Sequence, residues 1–199
     1  MTRRSVEVRR EEILAAAEAE VAGRGFARTR VSDVAAALGV SSALIFYHFG
    51  TKERLFAEAL EYAVNRDLAR LDATVARAAD PIDGVRRILA LYSPQGAGNG
   101  WTLWVDAWAE SLREKQMRAT SRRLDVRWKD ALVTQIALGV EQGIMTCDDP
   151  EGAAWRLSAL LDGLAVQVMV HRSLTKKQLA AWAALAASRE LGVDVATLS

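Results

Sequence analysis

The chain has 199 residues, of which 51% are apolar and 26% are charged, an ordinary composition for a globular protein. A net charge of +1 excludes a strongly basic polyelectrolyte, so any affinity for nucleic acid must arise from a local arrangement of charge. The single cysteine, Cys147, excludes an internal disulfide and a multi-cysteine zinc site. We find no apolar run near the roughly 20 residues of a membrane span and no apolar signal core. We therefore expect a cytoplasmic protein without membrane contact, cofactor or bound metal.

Helix-forming residues dominate the chain between its three prolines, and alternating strand patterns are nearly absent. Each proline lies beside turn-type residues, and Pro94 with three nearby glycines predicts a loop over residues 93–100. The pattern predicts an all-α protein of about nine helices. The predicted helices span residues 5–24, 31–38, 42–49, 52–79, 81–92, 101–112, 117–142, 151–171 and 175–191.

Two short predicted helices joined by a tight turn at Gly39 form the clearest local pattern. Ser41 is a suitable N-cap for the second of them, residues 42–49, which carries both apolar and polar side chains. A helix this short needs packing from its neighbours to be stable. The arrangement predicts a helix-turn-helix whose second helix enters the major groove of DNA. We assign residues 1–52 to a DNA-binding domain and residues 53–199 to a larger helical body.

Three stretches of this module resemble the TetR family of one-component regulators. They are GFARTRVSDVA at residues 25–35, LGVS at 38–41 and IFYHFGTKE at 45–53. The resemblance is strong over about residues 10–60 and only architectural beyond them. It implies an N-terminal DNA reader, a helical body that often holds an inducer, and a homodimer.

The resemblance also implies which residues contact DNA. The implied contacts with phosphate and groove walls are made by Thr29, Arg30, Tyr47 and His48. The implied base contacts are made by Ser41, Ser42, Ala43 and Leu44. Lys52 is implied to bind a phosphate. The position of Lys52 at a predicted helix start supports its role, because helix N-termini attract anions. Two residues depart from the family pattern: Phe46 stands where tyrosine is usual, and Ala43 where glycine is frequent. Both departures leave the operator sequence undetermined.

Several of these residues have simpler interpretations. Phe46 is expected to be a core aromatic, whereas Tyr47 is not, and His48 could cap its helix instead of contacting DNA. Four arginines, Arg3, Arg4, Arg9 and Arg10, could form an arm that follows phosphates or reaches the minor groove. They could equally form a solvated face, since three glutamates lie among them.

The helical body is rich in tryptophan and methionine, which favour a packed core and could also line an apolar ligand pocket. A polar residue in such surroundings could hold the polar end of a ligand, although a surface or interface position is the simpler interpretation. The candidate pocket residues are Trp101, Trp104, Trp108, Asp106, Met117, Trp128, Trp155 and Gln167. The expected effector is a small, largely apolar molecule. Asp162, followed by Gly163, is interpreted as structural.

The last two long helices are the expected dimer interface. The helix at 151–171 is apolar on nearly every side, and such a helix must be buried all round. A second copy of the chain could supply part of that burial, giving an interface of four helices. The candidate interface residues are Trp155, Leu157, Leu160, Leu161, Leu164, Val168, Leu179, Trp182 and Leu185.

These observations favour a homodimeric repressor that a small molecule releases from a palindromic operator on double-stranded DNA. An all-α enzyme is disfavoured, because the two histidines are far apart in sequence and no nucleophile motif or phosphate loop is present. A sequence-nonspecific DNA binder is disfavoured by the net charge of +1. An activator remains an alternative to a repressor.

Overall fold

The computed structural model describes residues 3–94 and 100–198, with side chains from Arg9 onward. The described residues form helices and no strand, which confirms the all-α prediction. The helices are α1 (Arg3–Arg24), α2 (Val31–Leu38), α3 (Ser42–Phe49), α4 (Lys52–Val75), α5 (Pro81–Tyr92), α6 (Gly100–Ser111), α7 (Lys115–Glu141), α8 (Pro150–Val166) and α9 (Lys176–Leu191), followed by a short 3-10 turn (Val195–Leu198).

Local side-chain chemistry explains where the helices of the body begin. Asp80 precedes α5, and its Oδ1 accepts a 2.8 Å hydrogen bond from the N–H of Asp83. Asp149 precedes α8 and accepts a 2.9 Å hydrogen bond from the N–H of Gly152. In both helices proline occupies the first position, where its missing N–H costs nothing.

Two helix ends differ from the sequence-based prediction. Helix α4 ends at Val75 rather than at residue 79. Helix α8 is α-helical only to Val166 and then widens into a π-turn, Gln167–His171, before Arg172 adopts a left-handed conformation with φ of 54°. The predicted loop over 93–100 falls largely on residues 95–99, which lie outside the described part of the chain.

The chain divides into two compact units. The first comprises residues 1–67 and 99–124, and the second comprises residues 68–98 and 125–199. The core of the first unit includes the fully buried Ile13, Phe26, Ile45, Phe49 and Leu60. The core of the second includes the fully buried Ile88, Leu132, Ile136, Leu157 and Leu161. The predicted functional boundary at residue 52 is not a boundary between these units and stays a prediction.

The continuous helix from Pro150 to His171 corrects the expectation that no apolar run approaches the length of a membrane span. It has 22 residues, and an 18-residue window within it has a mean hydropathy of 1.3, which meets that requirement by length and composition. Core helices of globular proteins meet the same requirement. Leu157 and Leu161 of this helix are buried in the second unit.

Candidate functional site

Helices α2 and α3 form the angular pair that the sequence predicts. Their axes differ in direction by 113°, within the range of a helix-turn-helix. The turn between them depends on Gly39, whose φ of 65° lies in the left-handed region that favours glycine. Ser41 then caps α3, because its Oγ accepts a 3.3 Å hydrogen bond from the N–H of Leu44. The Ser41 side chain is therefore both exposed and oriented by its own helix.

Helix α3 has one buried face and one exposed face. Ile45 and Phe49 point into the core, whereas Tyr47 is 78% exposed. The expectation that Tyr47 is not a core residue is thus confirmed. The expectation for Phe46 is wrong, because 44% of this residue is exposed. The Tyr47 ring packs edge-on against the neighbouring His48 ring, with ring centres 5.4 Å apart.

The residues expected to contact bases lie toward the N-terminal end of α3. Ala43 is exposed, and Ser42 and Leu44 are half-buried, so all three retain accessible surface. Their predicted contact with bases stays a prediction.

Arg10 has a structural role that the sequence did not indicate. Its guanidinium lies 4.7 Å from the centre of the Phe49 ring and pairs with the carboxylate of Glu58. Arg9 pairs with Glu12 at 2.8 Å. Both arginines are therefore engaged by their own chain, which weakens the proposed basic arm. The side chains of Arg3 and Arg4 lie outside the described residues.

The two residues before α2 have different environments. Thr29 is fully buried, and its hydroxyl donates a 2.7 Å hydrogen bond to the carbonyl of Gly25. The expected phosphate contact by this side chain is therefore corrected, because the hydroxyl is used inside the fold. Arg30 is exposed, and its backbone N–H donates to Asp33 at 2.8 Å. Its guanidinium remains the candidate for a backbone contact with DNA.

Lys52 is the first residue of α4. Its Nζ lies 5.5 Å from the centre of the Phe56 ring, and it pairs with no carboxylate among the described residues. Thr51 caps this helix by accepting a 3.1 Å hydrogen bond from the N–H of Arg54. The cap uses one of the free N–H groups at the helix start, and a positive end remains beside Lys52. This combination suits a phosphate oxygen.

The residues predicted to line one ligand pocket are divided between the two compact units, and the pocket stays a prediction. Trp101 and Trp104 each contact Trp108, with ring centres 5.8 and 6.1 Å apart, and these belong to the first unit with the buried Met117. Trp128, Trp155 and Gln167 belong to the second unit. Within the second unit, Trp128, Trp155 and Gln167 differ in their surroundings.

Two of the predicted polar ligand contacts already have hydrogen-bond partners within the chain, and their contact with a ligand stays a prediction. Asp106 Oδ2 accepts a 2.5 Å hydrogen bond from the backbone N–H of Phe26. Gln167 Oε1 accepts a 2.8 Å hydrogen bond from the hydroxyl of Ser173. Each of these two oxygens therefore accepts a hydrogen bond from a residue of the same chain. Trp155 is 52% exposed, and its role in a pocket stays a prediction.

A different polar cluster lies inside the second unit. The Tyr92 hydroxyl at the end of α5 donates a 2.7 Å hydrogen bond to Asp162 Oδ1 on α8. Trp128 on α7 is buried and meets the Tyr92 ring edge-on at 5.3 Å. Ser158, one helical turn before Asp162, is fully buried, and its hydroxyl has no hydrogen-bond partner among the described residues. We call these four residues the Asp162 cluster.

Burial controls the ionisation of the Asp162 cluster. It raises the pKa of Asp162, an effect partly opposed by the hydrogen bond from Tyr92. Burial and the nearby Asp162 carboxylate likewise raise the pKa of Tyr92, which keeps the phenol protonated as a donor. Asp162 forms no ion pair within the described part of the chain, whereas the nearby Asp125 is paired with Lys129. The Lys129 ammonium also lowers the pKa of Asp162, but its ion pair is with Asp125. The cluster thus contains a mostly buried carboxylate that has no ion-pair partner of its own among the described residues.

Sequence reasoning missed Tyr92 and Ser158 and assigned Asp162 to structure alone. The signal that could have found them is the spacing of Ser158 and Asp162. They are polar, four residues apart and on one face of a largely apolar helix.

The predicted interface residues separate into two groups. Leu157, Leu161, Leu164 and Leu179 are buried within their own chain, which corrects their assignment to an interface. The residues that remain exposed on α8 and α9 are Trp155, Leu160, Trp182 and Leu185, and we call them the α8–α9 patch. Val168 is half-buried. Lys129 lies with its Nζ 4.3 Å from the centre of the Trp155 ring.

Two family models match the chain. One describes the N-terminal region of bacterial regulatory proteins of the tetR family and matches residues 13–59. The other describes the C-terminal region of BetI-type transcriptional repressors and matches residues 81–192, more than half of the chain. The chain belongs to the TetR family. Members of the TetR family are transcriptional regulators that bind DNA through a helix-turn-helix, not enzymes, so this finding confirms the predicted class and excludes the enzyme alternative.

Individual TetR-family proteins resemble the chain over most of its length. The HTH-type transcriptional regulator BetI of Agrobacterium fabrum is 29% identical over 80% of this chain and 76% of its own length. A transcriptional regulator of Saccharomonospora viridis, solved in complex with choline, is 29% identical and superimposes with a TM-score of 0.82 over 93% of this chain and 98% of its own. A TetR regulator of Haloarcula marismortui shares the fold, with a TM-score of 0.83 at 21% identity over 93% of this chain and 99% of its own.

Proposed function

We propose that this TetR-family protein is a homodimeric repressor that binds a palindromic operator and is released from it by a small organic cation. The Asp162 carboxylate is the observation that supports a cationic effector. It is mostly buried and forms no ion pair of its own among the described residues, because the nearby Lys129 is paired with Asp125, and the family provides the regulatory context. In this role the protein acts in the cytoplasm, where such regulators typically meet DNA.

The chemistry of the Asp162 cluster favours a quaternary ammonium compound. A carboxylate attracts a cation, and the rings of Tyr92 and Trp128 offer aromatic surface to which quaternary ammonium groups bind. The unpartnered hydroxyl of Ser158 could pair with a polar group of the same molecule. The Saccharomonospora viridis regulator was solved with choline, a small quaternary ammonium alcohol, and this neighbour supports the same effector class here.

The α8–α9 patch supports the dimer. Two tryptophans and two leucines exposed together on adjacent helices are typical of an interface, in which aromatic anchors contribute most of the binding energy. A second copy of the chain is the occupant that the family provides, since TetR-family regulators typically dimerise. A two-fold dimer carries two copies of α3, which match two half-sites of a palindrome one helical turn, or a multiple of it, apart.

Release requires that the effector favours an arrangement of the dimer in which the two α3 helices no longer fit their half-sites. Only a difference in the affinity of the effector for the two arrangements can drive this change. We propose that α4 transmits this change in arrangement. The helix begins at Lys52, directly after the helix-turn-helix, and its residues continue into the second unit.

Choline titration tests the effector class directly. Calorimetry should detect choline binding to the wild-type protein, and Asp162→Asn should weaken that binding by about tenfold or more, since a charge-assisted contact is worth about 1.5–3 kcal/mol. Asp148→Asn is the matched control. Asp148 is exposed, and its substitution removes the same charge from the same unit. Absent binding to the wild type, or equal binding to both variants, contradicts this effector site.

Operator binding is tested separately. Selection from random duplex DNA should recover an inverted repeat, and choline should then weaken binding to it. A selection without any sequence preference would favour a nonspecific binder. Choline that binds without changing operator affinity would contradict release while leaving the effector site intact.

A further inference from the structure

A hydrogen bond near the helix-turn-helix joins the two regions of the chain that the two family models match. Asp106 lies on α6, within the residues that match the C-terminal model, and Phe26 lies within those that match the N-terminal model. The backbone N–H of Phe26 donates to Asp106 Oδ2 at 2.5 Å, across 80 residues of sequence. Both residues belong to the first compact unit. A carboxylate that accepts a backbone N–H forms a stronger hydrogen bond than a neutral acceptor does.

The backbone around Phe26 is shaped for this contact. Gly25 has a φ of +82°, and a Cβ atom added to it would lie 3.1 Å from Asp106 Oδ2. The positive φ favours glycine at this position, and a Cβ atom there would be in tight contact with the carboxylate. The Phe26 side chain is buried and meets the Phe56 ring edge-on, with ring centres 6.2 Å apart, so the turn is held from its other side as well.

The same turn sets the start of α2. The backbone N–H and the hydroxyl of Thr29 both donate to the carbonyl of Gly25, at 3.1 and 2.7 Å. Helix α2 begins two residues later, at Val31, and leads through Gly39 to α3. A displacement of Asp106 therefore acts on a short, hydrogen-bonded segment that orients the helix-turn-helix.

We propose that Asp106 is a positioning residue that couples α6 to the helix-turn-helix, so that DNA bound at α3 changes the stability of α6. This inference rests on DNA binding by α3 and does not depend on the identity of the effector. The coupling is reciprocal, because two linked equilibria influence each other by the same factor.

Hydrogen exchange of the full-length protein, with and without a duplex recovered by selection, tests the coupling. In the wild type, DNA should slow amide exchange in residues 42–49 and also in residues 100–111, by about fivefold or more in α6. In Asp106→Ala, DNA should still protect α3, while the response of α6 should disappear. Asp106→Asn retains an acceptor oxygen and should restore the response.

The matched control is Glu110→Ala, which removes a carboxylate from the same helix without breaking a described hydrogen bond of that side chain. It should respond as the wild type does. If Asp106→Ala does not fold, Asp106→Ser provides the same test, because its shorter side chain withdraws the acceptor. An α6 response that survives in the folded Asp106 variant, or that is missing in the wild type while α3 is protected, overturns the proposal. A wild type without protection of α3 would instead contradict DNA binding at this face.

Discussion

The Tyr92 hydroxyl donates a 2.7 Å hydrogen bond to Asp162 Oδ1, and this bond joins α5 to α8 inside the second unit. Tyr92→Phe removes the donor and leaves the mostly buried carboxylate without it. We expect a loss of about 1–3 kcal/mol in the free energy of unfolding, measured by urea denaturation. Tyr62→Phe is the control, since the Tyr62 ring is half-buried and its hydroxyl has no described partner. Equal stability of the two variants would contradict a stabilising role for the Tyr92 hydroxyl.

The acid dependence of stability should depend on Asp83. The backbone N–H of Ala79 and the guanidinium groups of Arg87 and Arg86 lower the pKa of Asp83 from 3.8 to about 2. The folded state therefore holds the ionised form more strongly than the unfolded state does. This contribution to stability is present above about pH 4 and is lost as the pH falls toward 2.

Asp83→Asn should accordingly be less stable than the wild type near neutral pH, and its stability should fall less steeply between pH 4 and pH 2. Chemical denaturation at a series of pH values measures the difference. Asp148→Asn, an exposed aspartate in a turn, should retain the wild-type slope. Parallel curves for Asp83→Asn and the wild type would show that this ionisation is not linked to folding.

Lys52→Ala should weaken binding to all DNA sequences alike. The variant loses one cation at the start of α4, so the slope of log affinity against log salt should decrease by about one unit. Lys115→Ala is the matched control, because Lys115 is also the first residue of a helix and is exposed. Fluorescence anisotropy at several salt concentrations gives both quantities. A loss limited to the selected operator would contradict a phosphate contact.

Ser42 and Leu44 should determine base preference rather than overall affinity. Ser42→Ala removes a hydrogen-bonding group near the start of α3, and a lost base contact costs about 1–3 kcal/mol of discrimination. Repeating the selection from random DNA with this variant should relax one position in each half-site. An unchanged consensus would exclude Ser42 from base recognition.

Trp182→Glu should disrupt the dimer. Trp182 is 48% exposed in the α8–α9 patch, and loss of an aromatic anchor from an interface costs about 2 kcal/mol or more. We expect the dimer dissociation constant to rise by about thirtyfold or more, as measured by sedimentation. Leu112→Glu places the same charge on another exposed apolar residue and should leave the dimer intact. A dimer that survives Trp182→Glu would place the interface elsewhere.

The amino-acid sequence alone determined the features that depend on neighbouring residues. The aspartate–proline pairs before α5 and α8, and Gly39 and Ser41 between α2 and α3, act within one or two turns of backbone. Their effects can be read locally because caps, turns and helical spacing do not require knowledge of distant contacts. The helix-turn-helix and the all-α fold followed from these signals.

Only the tertiary structure decided which polar groups the fold uses and which remain accessible. Thr29 and Arg30 are adjacent in sequence, yet one is buried against Gly25 and the other is exposed. Asp106 was expected to hold a ligand but accepts the N–H of Phe26, whereas Asp162 was expected to be structural and forms no ion pair of its own within the described residues. The physical reason is that burial and pairing depend on what packs against a helix face, and these partners lie up to 80 residues away in the chain.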